Sequence, residues 1–353
     1  MLGRLAAIGL IVVAAAALFA YTGGWLSPER HTQDRFMDAF EAHDGKHPGF
    51  RRNHAKGLCV TGWFDAAADA ASLSRAAIFH LQRVPIVGRF ALAGGVPFAA
   101  DDPMQVRSMA LRFMPLGFQE WRTGMNDIPA FVVNSSDGFY DLLKASAPDA
   151  ATGKPDPEAM KGFFERHPES GAAMQLVKDR SISSGFADDT FNSLNAFYLT
   201  SPSGATVPVR WSAVAMQPFV ANDPAAHAGA AKNYLFDELL SQLEVHALKW
   251  RLVFTMAEAG DPTNDATLPW PKERRQIVAG VITIARAVGE DSGACTDVNY
   301  DPTVLPDGIS VSDDPLLAAR ASVYARSFTL RSAEKSQKPA SAVSPKTIGG
   351  SAP

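Results

Sequence analysis

Apolar positions fall along the chain in three patterns, and each predicts a different kind of element. The first is unbroken: Leu5 to Tyr21 is nearly all Leu, Ile, Val, Ala and Phe, and no charged residue stands between Arg4 and Glu29. At about 1.5 Å rise per residue, some twenty such residues cross a bilayer core. With Arg4 and the N-terminus as the positive charges on the near side, the positive-inside rule keeps the N-terminus cytoplasmic and exports the chain beyond Ser27. A cleaved signal peptide is the alternative, because Ala14–Ala17 and Ala20 supply small residues before a cut. A buried core helix is the third reading. It fits poorly with a run that ends directly in Thr22-Gly23-Gly24.

The second pattern is short and alternating. Cys59–Phe64, Ile86–Phe90, Ser108–Phe113 and Ala130–Asn134 read as strands parted by turn residues, and Leu194–Thr200 with Val207–Val214 reads as a hairpin around Ser201-Pro202-Ser203-Gly204. The third pattern has helical period: Asp137–Lys144, Pro157–Arg166, Glu238–Arg251 and Pro315–Arg326. Many short strands carrying a few helices predict an α+β fold, an antiparallel β-barrel with helical additions behind the N-terminal apolar helix. A barrel interior of that size is expected to hold one ligand. The expected organisation is a membrane anchor or signal segment at 1–27, one folded body at 28–331, and a tail at 332–353. That tail is rich in Ser, Ala, Lys, Pro and Gly, has no aromatic residue, and is expected to stay loose.

Composition narrows the function. With 33 basic and 37 acidic residues in 353, the formal charge is −4, which shows none of the basic excess that nucleic-acid binding needs. Two cysteines exclude a disulfide scaffold and a cysteine-rich metal site. In an exported protein they form the one possible bridge, Cys59–Cys295; two buried thiols are the equal alternative. The sequence contains no HExxH, no GxGxxG after a strand, no Walker loop and no GxSxG elbow.

Two features bear chemistry. His54 precedes a predicted strand, where a histidine is most often a surface or capping residue. Near the other end, Asp313-Asp314-Pro315 is a helix start, and it places Arg320 and Tyr324 at i and i+4 on one face. An arginine beside a phenol favours the phenolate, one of the few protein groups that ligate haem iron. An ordinary Arg–Tyr helix pair is the commoner explanation of such spacing alone.

Taken in order, His54-Ala55-Lys56-Gly57, Val87-Gly88-Arg89-Phe90, Asn126-Asp127-Ile128-Pro129-Ala130-Phe131, Tyr300-Asp301-Pro302 with Leu305-Pro306-Asp307-Gly308-Ile309, and Arg320-x-x-x-Tyr324 resemble the haem catalase series. The succession runs from about Arg30 to Arg331. The short chain and the export segment resemble the catalase-related peroxidase branch of that superfamily. The resemblance implies a catalase barrel and a haem b cofactor whose iron is bound by Tyr324, with Arg320 as its partner. It implies His54 and Asn126 as catalytic residues on the distal side, and Phe139 beside the haem. It assigns Arg51, Arg89 and Arg331 to the haem propionates. Two departures stand out. Ala91 occupies the place of a small hydroxyl residue, so a hydrogen bond to the distal histidine is expected to be missing. Asn195 occupies the place of a family histidine.

The expected function is reduction of hydrogen peroxide or organic peroxides with an external electron donor, with weak catalase activity. A non-enzymatic haem- or lipid-binding barrel is the alternative. The expected partners are a small peroxide, a donor and the membrane at the N-terminal segment, with no nucleic acid, in a monomer or dimer. The expected place is the periplasm, anchored to the inner membrane or freed by cleavage.

Overall fold

The computed structural model describes residues 2–22, 31–149, 151–223, 225 and 229–343. Helix α1 (Leu2–Thr22) carries no charged residue after Arg4, with a mean hydropathy of 2.3 over Gly3–Thr22 and none of that stretch buried against the body. It is long enough to cross a bilayer. The part of the expected leader at 23–27 lies outside the described residues.

Among the described residues ten strands form the sheet: β1 (Gly57–Ala66), β2 (Val84–Leu92), β3 (Arg107–Phe113), β4 (Trp121–Asn126), β5 (Phe191–Asn192), β6 (Phe197–Thr200), β7 (Thr206–Ala215), β8 (Leu248–Met256), β9 (Gln276–Gly289) and β10 (Ile309–Val311). Their order is β10-β6-β7-β5-β4-β3-β2-β1-β9-β8, and β7 also pairs with β8. That last pairing closes eight antiparallel strands into a barrel and removes their free edges, while β6 and β10 extend the wall beside β7. The α+β barrel expected from the strand pattern is therefore present.

Side-chain alternation fixes what each face of the wall does. On β3, Met109, Leu111 and Phe113 point into the barrel, whereas Ser108 and Ala110 line a cavity outside it. The interior is packed solid. Phe113 stacks on Trp121 at 4.7 Å, Trp121 meets Trp211 edge-on at 4.9 Å, and Phe64, Phe79 and Phe254 complete the cluster. The expectation of a ligand inside the barrel is thus corrected. Six large aromatic side chains fill that volume, and the ligand cavity lies on the outer face of the wall.

That face is covered by helices α2 (Gln33–Asp44), α4 (Ser136–Ala145) and α8 (Pro315–Ala333). Helix α8 starts where the sequence predicts: Asp314 caps it by accepting from the Leu316 amide at 2.9 Å, and Pro315 fills the first turn. Helices α3 (Ala68–Leu73), α5 (Pro157–Arg166), α6 (Glu169–Lys178) and α7 (Tyr234–Val245) complete the body.

Three expectations change. The helix predicted over Glu238–Arg251 ends at Val245, because from Leu248 the burial alternates with period two and belongs to β8. Ala130–Asn134 is not a strand; the strand of that region is β4, and it ends at Asn126. The segment after Arg331 is not loose as far as it is described. Glu334 accepts from both terminal guanidinium nitrogens of Arg52 at 2.7 Å, Lys338 and Ser341 bind Asp291, and Val343 is buried. Charge pairs with the body order a stretch too polar to order itself by apolar burial. Residues 344–353 lie outside the described residues.

Candidate active site

The cavity has a volume of about 340 Å³ and is lined by β2, β3 and β4 on one side and by α2, α4 and α8 on the other. His54, Asn126, Arg51, Arg89, Phe139, Arg320, Arg331 and Tyr324 all line it, although they are scattered over some 280 positions of the chain.

His54 sits in the turn before β1 with φ +55°, a left-handed conformation that a non-glycine residue adopts at a cost. Asn53 holds that turn: its Oδ1 accepts from the His54 amide and the Gly94 amide, each at 2.8 Å. Burial first, then the charges of Arg89, Arg320 and Arg51, push the imidazole down to about 3, so it is neutral at physiological pH. Its Nδ1 lies 3.2 Å from Ser108 Oγ. The missing hydroxyl expected from Ala91 is thereby corrected: Ser108 is the direct ladder partner of Ala91 and supplies the oxygen from the neighbouring strand. Asn126 is the next residue on the same rung, paired with Ser108 across β3 and β4.

Helix α8 carries the second group. Arg320 Nη2 lies 3.5 Å from Tyr324 Oη, and its guanidinium sits 5.7 Å from the ring centroid. Arg320 Nη1 donates to Asn195 Oδ1, and Asn195 Nδ2 donates to Asp314 Oδ2 at 2.7 Å. Asn195 therefore occupies a relay between the α8 cap and the arginine, where its amide accepts on one side and donates on the other. The wall opposite this pair is Gly124. A Cβ there would stand 3.5 Å from Arg320 Nη2 and 4.0 Å from Tyr324 Oη, inside the cradle that the pair faces.

The third group is a cationic corner. Arg89 holds Glu290 in a bidentate pair, Nε to Oε1 at 2.7 Å and Nη2 to Oε2 at 3.0 Å. Its guanidinium lies over Gly57, where any Cβ would collide with Cζ at 2.3 Å. Arg51 Nη2 donates to the carbonyls of Cys295 and Val298, both at 3.1 Å, and Arg331 Nη1 donates to the Thr296 carbonyl. Burial works against the Glu290 anion, but Arg89 and Arg51 hold its carboxyl at about 2. Burial also lowers Arg51, to about 9, with Arg331 and Arg89 adding to the effect. Three guanidiniums gather around Glu290, with Asp297 a further negative charge acting on Arg331, so Glu290 alone does not neutralise the corner. Arg51 Nε and Arg331 Nη2 are buried without a hydrogen-bond partner among the described residues.

The remaining wall is apolar: Phe139 packs with Phe36, Phe40 and Phe131 at centroid distances of 5.7–6.4 Å. Cys59 and Cys295 are bonded, so the disulfide reading holds. The bridge fastens the loop whose carbonyls orient Arg51 and Arg331.

These residues fit a haem. A flat apolar group with carboxylates matches the phenylalanine wall and the cationic corner, whose unpartnered Arg51 Nε and Arg331 Nη2 point to a missing acceptor. A phenol with an arginine beside it is a donor for ferric iron. Sequence reasoning missed Ser108, Asn53 and Glu290. None of them leaves a trace in the sequence: the ladder register that sets Ser108 opposite Ala91 is not written there.

A phenol–arginine pair on one helix and a neutral, solvent-shielded histidine on another element make a division of roles suited to oxidoreductases that act on peroxide at a haem. The comparisons agree. The Catalase family model matches residues 32–339, and the chain belongs to that family. A catalase-related peroxidase of Synechococcus elongatus is 35% identical over 300 residues, covering 85% of this chain and 88% of that protein. One of Mycolicibacterium paratuberculosis is 30% identical over 303 residues, covering 85% of this chain and 95% of its own. A bacterial catalase structure superposes with a TM-score of 0.71 at 22% identity, over 81% of this chain and 58% of that catalase. The chain thus spans nearly the whole of the peroxidase relatives and little more than half of the larger catalase.

Proposed function

We propose that this protein is an exported haem b peroxidase that reduces hydrogen peroxide or an organic peroxide with an external electron donor, with weak release of oxygen from peroxide beside it. The observation that carries the reading is His54, a buried neutral base in one cavity with Asn126 and Tyr324. A barrel that only carries haem or lipid has no use for such a group.

When bound, the haem supplies the redox-active iron at which the peroxide bond is cleaved and the donor oxidised. Tyr324 is the residue that would hold the iron, and Arg320 would keep positive charge at its oxygen. Arg51, Arg89 and Arg331 form the cationic corner for the propionates. Arg51 and Arg331 offer open nitrogens there, and Arg89 acts with Glu290. Phe139, in the cavity wall, would pack against the ring. His54 takes the proton from one peroxide oxygen and returns it to the other, so that the leaving oxygen departs as water or alcohol. Asn126 donates a hydrogen bond to the peroxide without competing for that proton. The net change is ROOH plus a two-electron donor AH2, giving ROH, water and oxidised donor A.

Similarity to proteins named as catalase-related peroxidases over most of their length favours donor oxidation over dismutation. Helix α1 supports export, with the body in the periplasm and α1 in the inner membrane. We read the protein as a monomer or dimer. An absorption spectrum of the purified protein, before and after H2O2, tests the proposal, together with a donor screen scored against oxygen evolution. A Soret band that shifts with peroxide and returns with donor is expected. No Soret band, or one that peroxide leaves unmoved, overturns the reading.

A further inference from the structure

We propose that Asp127 and Asn192 are positioning residues that aim Asn126 at the peroxide by bracing the chain where β4 ends. The inference rests on the reading of Asn126 as the hydrogen-bond donor to the peroxide, and it adds the groups that keep that donor in place.

One rung of the sheet runs through the site. Gly57, Ala91, Ser108, Asn126, Asn192 and Ser212 are successive ladder partners on β1, β2, β3, β4, β5 and β7. Asn126 is the last residue of β4, so the main-chain ladder stops there and the chain leaves the sheet at Asp127 and Ile128. Asn126 lines the cavity, and its side-chain amide makes no hydrogen bond among the described residues. The direction of that amide is therefore set by the main chain that carries it.

Two side chains continue the ladder beyond its end. On one side Asp127 Oδ1 accepts from the Arg107 amide at 2.9 Å, while the Asp127 amide donates to the Arg107 carbonyl at 3.0 Å. That reciprocal pair closes β3 onto the first residue after Asn126. On the other side Asn192 Nδ2 donates to the Ile128 carbonyl at 3.0 Å. Ser212 Oγ donates to Asn192 Oδ1 at 2.7 Å, and the Ile128 carbonyl can only accept, so both ends of the Asn192 amide are engaged and its orientation is fixed. Asn126 is thus held from β3 through Asp127 and from β5 through Asn192. Asp127 also meets Arg180 Nη2 at 3.5 Å, and its removal would strand a buried guanidinium. Asn192 carries no charge and is the cleaner probe.

The test is the affinity of the ferric holoprotein for fluoride, an anion that can only accept hydrogen bonds, read from the absorption spectrum. A second readout is exchange of the Asp127 amide hydrogen in haem-free protein, followed by NMR. Asn126→Ala should weaken fluoride binding by about tenfold or more, the loss of one hydrogen bond to a charged acceptor. Asn192→Ala should weaken it about fivefold, a part of that loss, and should quicken Asp127 exchange about tenfold. Added to Asn126→Ala, it should weaken fluoride no further, because its effect passes through Asn126. Asp127→Asn keeps an oxygen for the Arg107 amide and should hold the wild-type affinity, whereas Asp127→Ala should behave as Asn192→Ala; if neither Asp127 variant folds, the Asn192 cycle decides alone. Wild-type fluoride affinity in Asn192→Ala overturns the proposal, as do an unchanged exchange rate and an Asp127→Asn protein as impaired as Asp127→Ala. So does an equal loss with and without Asn126, which would make the effect one of packing. Fluoride affinity unmoved by Asn126→Ala overturns the premise, the donor role of Asn126, and the proposal with it. Protein that purifies without haem defeats the peroxidase reading, while Asp127 exchange still decides the brace.

Discussion

The two chemical groups of the cavity are built in opposite ways. Arg320 and Tyr324 stand one turn apart on α8, which is capped by Asp314 and seated against Gly124. Their relation is local and would survive in the helix alone. The His54 group is assembled from a left-handed turn, a serine on β3 and the last residue of β4. It exists only once the strands are in register, and a slip of one residue would send Ser108 to the barrel interior. On the proposed reading, one site therefore joins a rigid ligand platform to an acid–base group that depends on the whole sheet.

The largest effect should come from the platform. Tyr324→Phe removes the phenol oxygen and keeps ring and helix, so haem content should fall to nearly nothing while the fold, monitored by circular dichroism, stays. A variant that purifies with full haem and an unaltered spectrum breaks the contrast at its firmest point. The histidine group should behave differently. His54→Asn is the cleanest probe, because asparagine tolerates the left-handed backbone that His54 occupies. Haem content should be retained, and the rate constant for peroxide cleavage should fall about 10²–10⁴-fold, the usual worth of acid–base assistance. Stopped-flow mixing with H2O2 measures it; a wild-type rate would mean that another group moves the proton.

The same contrast explains what the sequence makes legible. Arg320 and Tyr324 can be read because i and i+4 spacing is a property of any helix, and Asp313-Asp314-Pro315 marks where this one starts. His54, Asn126 and the arginines can be named only through the resemblance, since nothing in their spacing shows that four strands bring them together. Ser108 and Glu290 lie 54 and 201 residues from the side chains they serve, so neither has a local signature. β9, the longest strand at 14 residues, escapes the pattern because it curves through a bulge opposite Thr61 and Gly62 and its alternation breaks. The packed barrel interior is equally hidden: alternation shows that strands have two faces, but not which face the ligand takes.

The cationic corner lies between the two extremes, and the disulfide is its brace. Cys295 hangs the loop of Thr296 and Val298 on β1, and the loop's carbonyls aim Arg51 and Arg331. Closing a loop of 236 residues stabilises by about 5.5 kcal/mol in the chain-entropy treatment, before any strain is subtracted. A Cys59→Ala, Cys295→Ala double variant should lose several kcal/mol in denaturant unfolding, and it should bind haem more weakly while keeping the Tyr324 spectrum. Unchanged haem affinity would separate the brace from the site.

The smallest effect is a pH dependence that the histidine group alone should show. His54 is neutral in the fold down to about 3, whereas an unfolded histidine titrates near 6.5. Between those values unfolding takes up a proton, so stability falls as pH falls, by about 1.4 kcal/mol per unit. Glu290 has the opposite character as an acid but the same sign in effect. Its carboxyl is held at about 2, so its contribution is complete above the ordinary carboxylate range near 4.3 and is lost only as pH drops below it. Above pH 4.5, therefore, the two groups separate. Urea unfolding at pH 6 and at pH 4.5 should show wild type losing about 2 kcal/mol more than His54→Asn, which has no proton to take up there. Tyr324→Phe leaves His54 in place and should match the wild type. Equal slopes for wild type and His54→Asn would mean that His54 is solvated in the folded protein and that the acid–base group is not shielded as its burial indicates.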